Sequence, residues 1–222
     1  MKYLFNFVFF LFFLFPSFVL SKNYNATYKI KTNGLLIGRL GWDLQTNENS
    51  YVLNIELKNK GMLSMLFSFG GSYSARGKII ENNFVSTHYS QRWETNKKKR
   101  DVEISFKDGR VLSLKQIPKE KESLRIDLGS LTDLSDPLTS FLKLLNGSGE
   151  SKTVDGRRSY TLQFVKEDQK RKKYVVKSFS NLWADHKRNG LEYIYFEEGA
   201  NKFIPNSILI SFKGRLFKVL ID

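Results

Sequence analysis

Residues 51–58 read Tyr-Val-Leu-Asn-Ile-Glu-Leu-Lys. Tyr51, Leu53, Ile55 and Leu57 fall on one side of an extended chain, and Val52, Asn54, Glu56 and Lys58 on the other. Side chains alternate faces along a strand, so this stretch needs one dry face and one wet face. Antiparallel sheets provide that; parallel sheets covered on both sides do not. The same period runs upstream. Tyr24, Ala26, Tyr28 and Ile30 alternate with Asn25, Thr27, Lys29 and Lys31, and Leu36, Leu40, Trp42 and Leu44 share a face opposite Arg39, Asp43 and Gln45.

Further strands are predicted near 72–79, 84–95, 100–106, 110–115 and 124–128. After a break they resume near 159–165, 173–179, 191–197, 207–213 and 215–221. Asp108-Gly109 is a strong hairpin signal, because glycine accepts the positive φ of a tight primed turn. Lys213-Gly214 is a weaker one. Many meandering strands with one apolar face predict an antiparallel β-barrel or a strongly curved half-barrel, which closes or shields its edges. Leu138, Phe141, Leu142 and Leu145 instead have the i, i+3, i+4, i+7 spacing of one short α-helix over about 137–145. Asp136 is placed to cap it, Pro137 fits its first position, and Asn146-Gly147 ends it in a left-handed conformation. The helix is expected to plug one end of the barrel or to lie on the sheet.

Residues 1–21 have the order of a secretory signal peptide. Lys2 is followed by a nearly unbroken apolar run to Phe15, then Pro16, then Val19-Leu20-Ser21 before Lys22. The run is short for a bilayer span, which needs roughly 20 residues. Cleavage after Ser21 would leave one β-rich domain, 22–222, of a size that can bury a full core. The expected location is the periplasm. With no cysteine in the chain, a lipid-bearing lipoprotein, a disulfide and a thiolate metal site are all closed.

The 222 residues hold 36 Lys and Arg against 22 Asp and Glu, a formal charge of +14. Such a charge suits anionic headgroups, lipopolysaccharide phosphates or another anionic envelope surface. It equally suits compositional drift, since Lys, Asn, Phe and Ile are abundant together. Nucleic acid is not an expected partner, because the address is wrong and no reading helix or stacking motif occurs.

Catalytic signals are sparse. His88 lies in a strand and His186 in a polar loop, neither in metal-ligand spacing. There is no nucleophile elbow and no phosphate-cradling glycine loop. No enzyme activity, metal or cofactor is expected. Two segments are the candidate ligand-binding residues. In Gly61–Gly71, Met62, Met65, Leu66 and Phe69 have helical spacing between glycines. That segment reads either as a buried connection or as an adaptable apolar cap. In Asp155-Gly156-Arg157-Arg158 a turn is followed by two arginines. They read either as partners of nearby acids or as a fork for carboxylate or phosphate. Strand alternation would send Arg157 and Arg158 to opposite faces, and a half-buried arginine there needs Asp155, Asp136 or a ligand head as its partner.

The order of these features resembles the exported bacterial family catalogued as domain of unknown function 3108. The resemblance runs through Gly34-Leu35-Leu36-Ile37-Gly38, Gly61 and its apolar segment, and Tyr73-Ser74-Ala75-Arg76-Gly77. It continues through Asp136-Pro137-Leu138-Thr139-Ser140, Asp155-Gly156-Arg157-Arg158 and Ile204-Pro205. It implies an exported, mostly β envelope protein and no activity. Relatives often carry a C-terminal-half cysteine, and this chain has none.

Two functions follow as expectations. The first is binding or carrying an apolar or amphipathic molecule such as a lipid inside the barrel, which an apolar cavity of several hundred Å3 would favour. The second is a non-catalytic envelope scaffold using its basic surface.

Overall fold

Strand alternation is carried through most of the described residues. The computed structural model describes residues 21–59, 69–168, 171–183 and 190–222. Residues 1–20, and with them the predicted signal peptide, lie outside that set, as do Met62, Met65, Leu66 and His186. The strands are β1 (Lys22–Thr32), β2 (Leu35–Thr46), β3 (Ser50–Asn59), β4 (Phe69–Ile80), β5 (Asn83–Thr95), β6 (Lys99–Lys107) and β7 (Arg110–Ile117). After a crossing segment come β8 (Leu134–Ser135), helix α1 (Pro137–Leu145), β9 (Glu150–Val154), β10 (Arg158–Asp168), β11 (Arg171–Asn181), β12 (Leu191–Glu197), β13 (Ser207–Phe212) and β14 (Arg215–Ile221).

The fourteen strands among the described residues form one sheet in the order β7-β6-β5-β4-β3-β2-β1-β14-β13-β12-β11-β10-β9-β8. Every pair is antiparallel except β8 with β9. The first and last strands pair, Tyr28 opposite Ile221 and Thr32 opposite Phe217. The sheet curls into a nearly closed barrel, antiparallel as expected. The ladder stops between β7 and β8, and that seam is closed by other means. Leu134 N–H donates to the Gly109 carbonyl at 2.8 Å, and Arg125 N–H to the Leu182 carbonyl at 2.8 Å.

The dry face is the one the alternation assigns. Tyr51, Leu53 and Ile55 are buried, with Tyr28, Trp42 and Leu44 beside them. Helix α1, the single α-helix among the described residues, enters the barrel rather than lying on it. Leu142, Leu144 and Leu145 are all buried, so the helix is covered well beyond one stripe. Phe141 meets the edges of Trp42 on β2 and Phe196 on β12, with ring centres 6.0 and 5.8 Å away. The Asn146 side chain donates to the Asn82 carbonyl in the β4–β5 turn and accepts from Lys202, both at 2.7 Å. The helix therefore fills the end that carries the β2–β3, β4–β5, β6–β7 and β12–β13 connections, the helix end. The distal end carries the β1–β2, β5–β6 and β13–β14 tips.

Three expectations are corrected. Asn146 stays right-handed at φ −78°, and the left-handed residue is Gly147 at +102°. Residues 124–128 are not a strand. They cross the seam with one bridge, Leu124 to Trp183, and enter a short 3-10 turn whose cap is Asp127 accepting from Gly129 N–H. The short strands β8 and β9 escape the pattern, because β8 has two residues and β9 (Glu-Ser-Lys-Thr-Val) has few apolar ones to alternate.

Candidate functional site

Two polar centres lie inside the barrel wall. The first holds the helix. Asp136 is fully buried, and its Oδ1 accepts from the Leu138 and Thr139 N–H groups at 2.9 Å, satisfying donors that a helix start leaves orphaned. Its Oδ2 accepts from Ser86 Oγ at 2.7 Å and from Thr139 Oγ1, which is 2.6 Å from the Tyr51 hydroxyl. Burial pushes the Asp136 carboxyl above its ordinary range, partly offset by these donors. The same burial, with Asp136 nearby, pushes the Tyr51 hydroxyl up. All partners belong to the helix start or to the wall it rests on, so this centre is an anchor.

The second centre sits at the seam, at the distal end, where Arg100 at the start of β6, the segment after β7 and the β9–β10 turn converge. Glu120 takes an ion pair from Arg100 and another from Arg157, whose Nε lies 3.4 Å away. Asp155 Oδ1 accepts from the Arg157 and Arg158 N–H groups at 2.9 and 2.8 Å, and its Oδ2 lies 3.4 Å from Arg158 Nη1. Gln116 joins the two halves, accepting from Arg100 at 2.9 Å and donating to the Gly156 carbonyl at 2.6 Å. Trp183 Nε1 donates to that same carbonyl at 3.0 Å. Gly156 is required there. Its φ is +88°, and a Cβ would come within 2.6 Å of Val102 Cγ1.

The cluster sets Arg100, Arg157 and Arg158 against Glu120 and Asp155, and all are at most half-exposed. One positive charge is in excess. Burial, with Arg100 beside it, pushes the Arg157 guanidinium down from its ordinary value. Arg158 Nε is buried with no hydrogen-bond partner. Alternation fails here: Arg157 and Arg158 do not part to opposite faces, because Arg157 belongs to the turn and only Arg158 to the strand. Asp155 is a partner as expected; Asp136 is not, being turned to the helix. Sequence reasoning missed Arg100 and Glu120.

Elsewhere in the ring, on β1 to β4, β12 and β13, the distal inner lining is apolar and half-buried, with Ile30, Leu40, Leu57, Tyr73, Ile194 and Ile210 packed on the core. Phe69 falls on this lining by alternation, two residues before Gly71 opposite Leu57, and is 39% exposed. The two hollows described both open on the outer face instead. One, of about 1050 Å3, crosses β1 to β6 over the register partners Asn25, Asp43, Asn54, Ser74, Ser90 and Glu103. The other, of about 620 Å3, lies over β12 to β14 beside Tyr195, Leu209 and Leu220. Among the described residues no His, Cys, Asp and Glu group is placed to hold a metal, and no helix is long and apolar enough to cross a membrane.

The model of the family described as Protein of unknown function (DUF3108) matches residues 23–184. The chain belongs to the DUF3108 family. The matched stretch takes this DUF3108 protein from β1 to the end of β11, and so contains the helix, its anchor and the whole seam cluster. Strands β12 to β14, which complete the ring, follow it. Among solved structures, this DUF3108 chain is similar to the crystal structure of a beta-barrel-like protein of domain of unknown function DUF1849 from Brucella abortus. Identity is 10%, the match covers 90% of this chain and 95% of the other, and the TM-score is 0.49. No curated protein matches the chain.

Proposed function

We propose that this DUF3108 protein is a non-catalytic carrier for an anionic amphipathic molecule, a lipid or fatty acid, held in the distal half of the barrel. The seam cluster carries the reading. Three arginines share two carboxylates at the distal end, where the opposite wall of the ring is apolar, and the buried Arg158 Nε has no hydrogen-bond partner. A buried guanidinium donor left unmatched is unfavourable, and a carboxylate or phosphate oxygen is the acceptor it fits. The half-buried lining would take the tail. In this reading the protein works outside the cytoplasm, in the cell envelope, where residues 1–21 would send it.

The test is a titration with oleate and with lysophosphatidylglycerol, read by tryptophan fluorescence, because Trp183 touches the cluster through Gly156. Both should bind saturably. Arg158→Gln should weaken binding by about tenfold or more, the worth of one charge-assisted hydrogen bond. Mass spectrometry of the organic extract should find amphiphiles on the purified protein. An empty extract together with no saturable response would end the proposal.

A further inference from the structure

Three hairpin tips at the distal end of the barrel are basic. The distal tips read Lys31-Thr32-Asn33-Gly34-Leu35, Asn96-Lys97-Lys98-Lys99 and Lys213-Gly214-Arg215, with no acid in any of them. At the helix end the β2–β3, β4–β5, β6–β7 and β12–β13 connections carry Glu48, Glu81, Asp108 and Glu198, while the β10–β11 hairpin there sets Arg171 and Lys172 beside Asp168 and Glu197. The basic tips also carry apolar side chains. Leu35 is 62% exposed, Leu216 41% and Phe212 37%. They lie on neighbouring hairpins, since β1 pairs with β14 and Thr32 Oγ1 donates to the Leu216 carbonyl at 3.0 Å. The Lys213 ammonium stands 5.6 Å from the Phe212 ring centre.

We infer that the distal end is a docking face for a bilayer containing anionic phospholipid. Apolar side chains beside lysine and arginine, with the Glu192 carboxylate turned to the Gly214 N–H at 3.0 Å, match the two layers such a surface offers. The apolar groups enter the boundary of the acyl region while the ammonium groups stay among the phosphates. A basic protein surface alone would call for any polyanion. The three exposed apolar residues on the same two hairpins favour a membrane, because a soluble polyanion gives them nowhere to go. The inference stands whether or not the barrel holds a ligand.

Co-sedimentation with phosphatidylcholine vesicles, with and without phosphatidylglycerol, tests it. The full chain and the chain from Lys22 are both used, so that residues 1–21 cannot account for binding. The protein should pellet only with the anionic vesicles. Binding should fall steeply as salt is raised from about 0.1 M to about 1 M, where the screening length shrinks from about 10 Å to about 3 Å. Lys97→Glu with Lys98→Glu and Arg215→Glu should weaken it by roughly tenfold or more. Leu35→Ser with Leu216→Ser should weaken it on anionic vesicles while leaving retention on a heparin column unchanged. Lys78→Glu with Lys107→Glu, exposed at the helix end, should matter far less. Equal losses from the two ends, indifference to the apolar change, or equal binding to neutral vesicles would each overturn the inference. Circular dichroism of each variant separates lost binding from lost fold.

Discussion

Asp136 caps helix α1 and at the same time receives the wall's hydroxyls. Asp136→Ala should lower stability by roughly 2–4 kcal/mol, summing a lost cap with buried Ser86 and Thr139 hydroxyls left short of an acceptor. Urea unfolding midpoints will read it. Its titration gives a second handle. Burial raises the carboxyl's pKa in the fold, so the folded chain keeps this proton to higher pH than the unfolded chain, whose value is near 3.8. Stability relative to the Asp136→Asn variant should therefore decline as pH climbs above about 4, and level off beyond the folded pKa. Parallel stability curves for the two proteins would refute a raised pKa. The cap itself was legible, since Asp-Pro-Leu-Thr-Ser before an apolar stripe has a local cause. Ser86 and Tyr51 as its partners were not, being 50 residues from Asp136 and 88 from Thr139. That one of Arg157 and Arg158 would be half-buried and need a partner was legible, though not which. The neighbours Arg100 and Glu120 were not, because only the seam brings them to that pair.

Strands and helix meet most closely where side chains leave no room. At Gly77 on β4 an added Cβ would lie 2.1 Å from the Val85 carbonyl oxygen and 2.5 Å from the Tyr51 ring. Gly77→Ala should destabilise by roughly 3 kcal/mol or more. Gly70→Ala on the same strand, whose nearest atom would be 3.8 Å away, should change stability by no more than about 0.5 kcal/mol. Thermal unfolding of the pair compares them directly. For the helix, Phe141→Ala removes the ring between Trp42 and Phe196 and should lower stability by about 3 kcal/mol. Elements with a local signature were readable in the sequence: long alternating strands, the Asp108-Gly109 turn, the capped helix. Segments whose shape is set by the seam were not. Residues 124–128 alternate like a strand yet have no ladder to join.

The ring is completed by its first and last strands, which only strand order reveals. Removing 215–222 deletes β14 and leaves β1 and β13 with bare edges. The shortened chain should lose its single cooperative transition in calorimetry and aggregate on warming; an unchanged transition would mean that β1 and β14 do not hold the ring. Lys97-Lys98-Lys99 is plain in the sequence as a run of positive charge between two strands. That it shares an end with Lys31, Lys213 and Arg215 depended on the topology. The unclosed ladder between β7 and β8 has a consequence for girth. A cylinder hydrogen-bonded all the way round has its diameter set by strand number and stagger. This one is a slit tube, so its girth rests on the few contacts that bridge the slit, Leu134 N–H on the Gly109 carbonyl, Gln116 on Gly156 and Arg157 on Glu120, and only if all of these part together can its circumference grow while the rest of the ladder stays intact.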